Sequence, residues 1–418
     1  MNGTILAADI GTTSLKAAVV DENGQFVAYS QQFLSLRNDS TAAQEWLPAL
    51  RAAWRDMQKQ LSGNKAPFAK QQRPSMGTEV TVPAGICISG NGPTIVSADG
   101  RTLLWNQPID TPAHIKKAVG QSLFLPRIQA FLTRYPDVAH SSCIFSGPEY
   151  LIYQLCGAAV TILPEARYRT AYWTDEQLDA LSIAGDRLPP FVAPATRAGM
   201  TDTAITAQFG FGRPVPVFCG GPDFIAAMVG TNSLSPGAWY DCAGSSEGLN
   251  LCVSEPVTAS HIRVLPSIQN DLWNAAALES ESGRMFSSYR SAVESLDGRT
   301  YSYSELIEKC LAHTTGDGYD VLARIARNFR TMVERIRAVA RNGRVPLAPY
   351  IAVTGGQAKN DAWMQFKCTA AGVPLAVCNH PDAELIGDAV FAQTGLGRYR
   401  SIAAAAAALV TITRRYEP

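Results

Sequence analysis

Four glycine-punctuated segments hold the side chains best suited to chemistry. Asp9 closes the apolar run Thr4-Ile5-Leu6-Ala7-Ala8 and is followed by Ile10 and then Gly11-Thr12-Thr13-Ser14. A carboxylate at the end of a buried strand is costly unless a cation or donor meets it. The amides and hydroxyls of the turn that follows are suited to phosphate oxygens, although a Gly-Thr-Thr hairpin turn also occurs for purely structural reasons. In Gly220-Gly221-Pro222-Asp223 one carboxylate stands between the apolar run Val215-Pro216-Val217-Phe218-Cys219 and the helix formers Ala226-Ala227-Met228. The glycine pair lets another backbone or a ligand come close. Asp223 then reads either as a helix N-cap or as a base that takes the proton of a hydroxyl facing a phosphate donor. Gly244-Ser245-Ser246 repeats the first turn, and Gly355-Gly356-Gln357, with Lys359 and Asn360 after it, ends a strand and leads into a helix. A helix N-terminus behind a glycine pair is a seat for the adenosine side of a nucleotide. Asn91 and Asn106, with Trp105 beside the latter, suit hydroxyl binding against an aromatic wall, or else bond turn backbone.

The elements that must carry these residues follow from periodicity. Thr4 to Ile10 and Leu15 to Val20 read as strands, and Asn23-Gly24 is a hairpin signal before Gln25 to Tyr29. Trp46 to Leu61 has helical spacing through Leu47, Leu50, Trp54, Met57 and Leu61, a core stripe whose first residue, Trp46, could reach a ligand. Ser62 to Thr78 reads as a loop. Ala84 to Ser89 is a strand, Ile95 to Ala98 and Thr102 to Trp105 form a strand, turn, strand unit, and Leu123 to Leu132 and Pro148 to Cys156 are helices. Leu181 to Pro194 reads as a surface crossing and Gly199 to Gly212 as a short helical hairpin. Ala238 to Ala243 and Leu249 to Val253 flank the second hydroxyl turn, and Tyr350 to Gln357 echoes Gly85 to Asn91. Helices follow over Tyr319 to Ala340, where the arginines form a solvated face, and over Asn360 to Gly372, Ala383 to Gly395 and Ile402 to Tyr416. The two halves share one plan, which predicts a duplicated fold with a cleft between the copies.

Composition narrows the function classes. A chain of 418 residues exceeds one compact core. Lys plus Arg equals Asp plus Glu at 36 each, which leaves no positive excess to hold nucleic acid. The longest apolar run, Ile402 to Val410, is too short for a membrane span, and the first residues do not read as a signal peptide. Nine cysteines without zinc-like spacing suit reduced thiols in a cytoplasmic protein. The five histidines, His114, His140, His261, His313 and His380, are scattered and are assigned no chemistry.

Taken together, Ala8-Asp9-Ile10-Gly11-Thr12-Thr13-Ser14-Leu15-Lys16, Ile88-Ser89-Gly90 with Leu104-Trp105-Asn106, Gly220-Gly221-Pro222-Asp223, Gly244-Ser245-Ser246, Val353-Thr354-Gly355-Gly356 and Glu384-Leu385-Ile386-Gly387-Asp388-Ala389 resemble, in family order, the FGGY carbohydrate kinases. These belong with the actin, hexokinase and Hsp70-like ATPases, and among them the chain is most similar to xylulokinases. The resemblance implies an α/β fold of two actin-like (ribonuclease H-like) domains, residues 1–233 with the acceptor and catalytic base and 234–418 with the nucleotide, closing on ATP and Mg²⁺. By that resemblance Asp223 is the base and Asp9 organises the Mg²⁺. Gly11, Thr12, Thr13, Lys16, Gly244, Ser245 and Ser246 face the phosphates. Gly355, Gly356, Gln357, Lys359 and Asn360 lie near adenine and ribose, and Asn91, Trp105, Asn106, Asp223 and Phe224 meet the acceptor. Phosphoryl transfer needs alignment and charge screening more than covalent chemistry, so an Asp near its ordinary pKa suffices as base.

The chain also departs from the family pattern. It has Asn91-Gly92-Pro93-Thr94 where many ketose kinases have a Gln-Met-His-Gly-like run, and Trp105-Asn106-Gln107-Pro108-Ile109 where they have Trp-Asn-Asp-x-Arg. Phe224 replaces a polar neighbour of the base, and the stretch from Leu251 to Val353 is short. The reaction expected is ATP-dependent phosphorylation of a hydroxyl of a sugar or polyol, a ketose such as xylulose first. The alternatives are a sensor or pseudokinase that binds without turnover, and an actin-like ATPase that needs no acceptor. A small-molecule partner is expected, without nucleic acid or membrane, and a homodimer is compatible with such a protein.

Overall fold

The computed structural model describes residues 3–35, 40–63, 82–138 and 143–418. Most of the loop expected over 62–78, and His140, lie outside the described residues. The strands of the first half are β1 (Ile5–Ile10), β2 (Ser14–Val20), β3 (Phe26–Phe33), β4 (Gly85–Gly90), β5 (Ile95–Ser97), β6 (Thr102–Leu103), β7 (Ile144–Phe145), β8 (Thr161–Ile162), β9 (Phe191–Val192), β10 (Arg197–Met200) and β11 (Pro216–Pro222). Those of the second are β12 (Trp239–Ala243), β13 (Glu247–Val253), β14 (Arg263–Pro266), β15 (Trp273–Glu279), β16 (Ile351–Thr354), β17 (Leu375–Cys378) and β18 (Ile412–Tyr416).

The duplication expected from the paired hydroxyl turns is present strand for strand. One sheet runs β10-β11-β4-β1-β2-β3 and the other β18-β17-β16-β12-β13-β15, with β14 added at its edge. In both, the outer strand (β10 or β18) is antiparallel to the next, three parallel strands follow (β11, β4, β1 or β17, β16, β12), and the last two are antiparallel. The parallel strands read as unbroken apolar runs because both faces of each sheet are covered.

Packing divides the chain into Met1–Ala226 with Glu384–Leu409, and Ala227–Ala383 with Val410–Pro418. The contiguous boundary at 233/234 puts residues 384–409 with the second half, whereas they pack with the first. Helix Ala383–Gly395 comes so close that a Cβ on Gly387 would lie 2.1 Å from the Ala226 carbonyl oxygen. A Cβ on Gly220 would likewise lie 2.4 Å from Asp388 Oδ1. No side chain fits at either crossing.

In the first unit, helix Trp46–Ser62 buries Trp46, Leu50, Ala53, Trp54 and Met57, while Leu47 and Leu61 at the edge of the expected stripe are only partly covered. In the second, helix Asp317–Asn342 buries Leu322, Ile325, Phe329, Met332, Val333 and Ile336 and turns most of its arginines outward. Each large side chain so buried contributes about 1.5–3 kcal/mol.

Three segments differ from expectation. Residues 199–212 form no helical hairpin: Arg197–Met200 pairs antiparallel with β11, and a single helix, Thr203–Phe209, follows. The final segment is helical only over Ile402–Leu409; the β-branched run Val410-Thr411-Ile412-Thr413 then favours β18, which pairs with β17. The crossing over 181–194 is not superficial, since Leu181, Ile183 and Leu188 are buried.

Candidate functional site

β11, β4 and β1 are parallel neighbours, with Pro222 opposite Gly90 and Gly90 opposite Ile10. The next residues of these strands are Asp223, Asn91 and Gly11, so three sequence-expected site residues leave one sheet at its carboxyl end. That end is where ligands bind in open α/β sheets.

Asp223 is partly buried as the first residue of helix Asp223–Gly230. Its Oδ1 accepts from the Phe224 amide at 2.7 Å. An N-cap would accept from an amide two or three residues on, so the cap reading does not fit the bond it makes. Burial pushes its carboxyl up to about 6, with the charge of Glu384 adding to the rise, while the Phe224 amide and Lys16 act the other way. An ordinary pKa was expected. The difference comes first from burial and then from Glu384, which the return of helix Ala383–Gly395 to this unit brings near.

Asp9 and Lys16 face each other across the β1–β2 hairpin, with Lys16 Nζ 3.9 Å from Asp9 Oδ2. Behind them Asp388 is fully buried and accepts at Oδ2 from Ser89 Oγ at 2.9 Å. Burial holds Asp388 well above the usual carboxylate range, and the charges of Asp9 and Glu384 push in the same direction. Glu384 and Asp388 belong to the quoted Glu384–Ala389 motif, and their i, i+4 spacing puts both on one helix face. That spacing was the available signal.

The Gly11–Thr12 turn and the Leu104–Trp105 segment line a small open recess together with Trp46 and Asn91, among others. Trp105 Nε1 donates to Thr12 Oγ1 at 3.0 Å, and Asn91 Nδ2 approaches the same oxygen at 3.3 Å. Thr94 Oγ1 in turn donates to Asn91 Oδ1 at 3.3 Å. Asn106 is exposed in the turn beyond and is not among the lining residues. Phe224 is partly buried, 6.4 Å from the Tyr168 ring. Arg127 was missed in the sequence. Its guanidinium is spent on backbone carbonyls, Nε to Pro93 at 3.0 Å, Nη1 to Gln107 at 3.1 Å, and Nη2 to Leu104 at 2.7 Å and to Trp105. It therefore fixes the loop that presents Trp105.

In the second unit the Gly244–Ser246 turn is exposed, and the Gly355–Gln357 segment lies against it. Gly355 has φ +95°, and a Cβ there would lie 2.4 Å from the Ala243 carbonyl oxygen, so glycine is required. Gln357 Nε2 reaches the Gly244 carbonyl at 3.5 Å. Gly356 is exposed beside it. Lys359 pairs with the buried Asp382 at 2.8 Å, and Asn360 caps helix Asp361–Ala371 by accepting from the Trp363 amide at 2.8 Å. Both thus have structural partners in addition to any part in binding.

Two α/β units of one repeated plan, each with a hydroxyl-bearing glycine turn after its first strand, define a duplicated actin-like fold. The model of the FGGY family of carbohydrate kinases, N-terminal domain, matches residues 4–230. The chain therefore belongs to the FGGY carbohydrate kinases, phosphotransferases that act on sugars. It is 22% identical to a xylulose kinase of Staphylococcus epidermidis, over 99% of this chain and 92% of that one. Its fold matches a ligand-bound xylulose kinase from Lactobacillus acidophilus with a TM-score of 0.73 at 16% identity, covering 100% of this chain and 94% of the other. It also matches a gluconate kinase from the same organism, with a TM-score of 0.72 at 16% identity and the same coverage. The two-domain actin-like fold implied by the motifs is thus the fold observed. Among the described residues no helix is long and apolar enough to cross a membrane.

Proposed function

We propose that this carbohydrate kinase transfers the terminal phosphoryl group of ATP to a hydroxyl of a ketose such as xylulose, with Asp223 as the base. One observation supports this most: Asp223, Asn91 and the Gly11–Thr12 turn issue from three adjacent parallel strands at one sheet end. A base there can reach an acceptor hydroxyl while the turn's amides face a phosphate, which is the alignment phosphoryl transfer requires.

Asp223 takes the hydroxyl proton as the oxygen attacks, and with a pKa near 6 it is both ionised at pH 7 and a stronger base than an ordinary aspartate. Trp105 and Asn91 hold the acceptor, and Phe224 adds an apolar wall. Thr12, Thr13 and Lys16 in the first unit, and Gly244, Ser245 and Ser246 in the second, meet the phosphates. Gly355, Gly356 and Gln357 meet the adenosine, with Lys359 and Asn360 setting the helix behind them.

Asp9 fits the Mg²⁺ that the family implies. Among the described residues no group of three or more His, Cys, Asp or Glu is placed to hold a metal outright, and Mg²⁺ characteristically binds through one or two carboxylates, substrate phosphates and retained waters. The ion's chemistry is to offset charge on the phosphate oxygens.

Coupled ADP release measured over xylulose, other pentuloses, hexuloses, glycerol and gluconate tests the assignment. The expected result is acceptor-dependent turnover led by a ketopentose and abolished by Asp223→Ala. Binding of ATP and sugar without product, in the wild type as in the variant, supports the pseudokinase alternative. Preferred turnover of gluconate or glycerol overturns the ketose but keeps the kinase.

A further inference from the structure

We propose that Lys367 is a positioning residue for nucleotide binding: buried behind the second unit's hydroxyl turn, it fixes Glu247 and through it the shape of Gly244–Ser246. The inference rests on the reading of that turn as the holder of ATP phosphates. Lys367 emerges from helix Asp361–Ala371 with its side chain wholly buried. Its Nζ lies 2.6 Å from Asp241 Oδ2, contacts Glu247 Oε1, and stands 4.0 Å over the Phe329 ring. Both carboxylates are wholly buried as well.

Glu247 is the residue directly after the turn. Its Oε2 accepts from Ser282 Oγ at 2.5 Å, and that hydroxyl accepts from Gln357 Nε2 at 2.9 Å. Gln357 returns to the Gly244 carbonyl at 3.5 Å, while its Oε1 accepts from Trp363 Nε1 at 3.0 Å. A chain of polar contacts therefore runs from Glu247 through Ser282 and Gln357 to the Gly244 carbonyl, and the backbone of the turn closes it. Its one charged anchor is Lys367.

The turn's backbone is gripped from the same side. The Arg284 amide donates to the Ser245 carbonyl at 3.0 Å, and a Cβ on Gly283 would lie 2.0 Å from the Gly244 carbonyl oxygen. Stability alone gives little reason for such a cluster, since buried ion pairs can often be replaced by apolar side chains at no cost. Asp241 Oδ1 is even left buried without a hydrogen-bond partner. What the cluster provides is one orientation for Glu247, and so a preorganised turn that need not be ordered when phosphate arrives.

The test uses Ser282→Ala, Lys367→Met and the double variant in the full chain, with ATP and ADP affinity measured by calorimetry, steady-state KM for both substrates, and Tm. Ser282→Ala carries the decision, because Lys367→Met leaves two carboxylates facing each other in the core. Ser282→Ala should lower Tm by a few degrees, since it leaves a buried Glu247 oxygen without its donor, weaken ATP binding about tenfold, the loss expected for one good hydrogen bond, and leave acceptor KM nearly unchanged. Where Lys367→Met folds, it should weaken ATP binding at least as much, and the double variant little further, as members of one network do. A structural role alone would lower Tm to the same extent without separating the two KM values, so the split between them decides. Unchanged nucleotide affinity in Ser282→Ala, or equal rises in both KM values, overturns the proposal. A wild type that binds no nucleotide overturns the reading beneath it as well.

Discussion

Replacing Asp223 by Asn keeps shape and removes the charge, so it separates what the carboxylate does for catalysis from what it costs the fold. With a folded-state pKa near 6 against an ordinary 3.8, Asp223 binds its proton more tightly in the native protein than in the unfolded chain. The extra stability is fully present below pH 3.8 and is lost as pH rises through 6. At pH 7 the native state is thereby weaker than a neutral side chain would leave it by up to about 3 kcal/mol, taking 1.36 kcal/mol per pKa unit. Asp223→Asn should therefore raise the urea midpoint at pH 7 and lose that advantage below about pH 4. Turnover should fall by about 10²–10⁴, the usual contribution of a general base. In the wild type, kcat/KM should fall on the acid side with a midpoint near 6, so that about a tenth of the base is ionised at pH 5. Glu384→Gln should move that midpoint down, because the Glu384 charge is the second cause of the rise after burial. The measurements are denaturant curves at pH 4 and 7, and pH–rate profiles for the wild type and both variants. An Asn variant that is no more stable at pH 7, together with an acid limb that Glu384→Gln leaves in place, would refute the reasoning.

Two other outcomes follow from close contacts in the first unit. Trp105→Phe removes the indole donor to Thr12 Oγ1 but keeps an aromatic wall. It should raise acceptor KM by a few-fold through the smaller ring and, because the lost bond holds Thr12 of the turn proposed to meet the phosphates, weaken ATP binding by up to about tenfold in a titration. Gly387→Ala puts a Cβ 2.1 Å from the Ala226 carbonyl oxygen, where only backbone movement makes room. A destabilisation of about 3 kcal/mol or more is expected from such overpacking, read as a lowered urea midpoint.

The fold was legible where the chain obeys simple local rules. Apolar runs closed by glycine marked β1, β4, β12 and β16, while β17, a run of four apolar residues followed by Asn379-His380, went unread; the recurrence of a hydroxyl turn after the first strand of each half announced the duplication. Legibility failed where a distant partner decides. Val410 to Thr413 follows an alanine-rich helix, and only β17 makes a strand of the residues beyond it. The boundary at 233/234 could not anticipate that helix Ala383–Gly395 returns to the first unit, because Gly220 and Gly387 signal close approach without naming the neighbour. The site divided in the same way. Asp9, Gly11, Thr12, Asn91, Trp105 and Asp223 stood out through turn chemistry and order. Arg127, Ser282 and Lys367 act by reaching loops far off in sequence, and only the odd placement of Lys367 among Trp363, Met364, Cys368 and Ala371 hinted at a buried charge.

The two copies of the plan solve one electrostatic problem in opposite ways, and the contrast bears on what each is for. In the first, Asp9 near the end of β1 meets Lys16 from the neighbouring strand at 3.9 Å, and the lysine keeps 18% of its side chain exposed. That distance is at the outer limit of an ion pair. In the second, Asp241 on β12 meets a lysine supplied by a helix, at 2.6 Å, with neither side chain exposed. That charge cannot reach a ligand; it can act only through Glu247 and the turn after β12. Equal strand order therefore does not imply equal chemistry. The first copy leaves its lysine partly open to solvent and the second shuts its own inside the fold, a contrast that suits the proposed roles of a first unit that meets the acceptor and a second that holds the nucleotide.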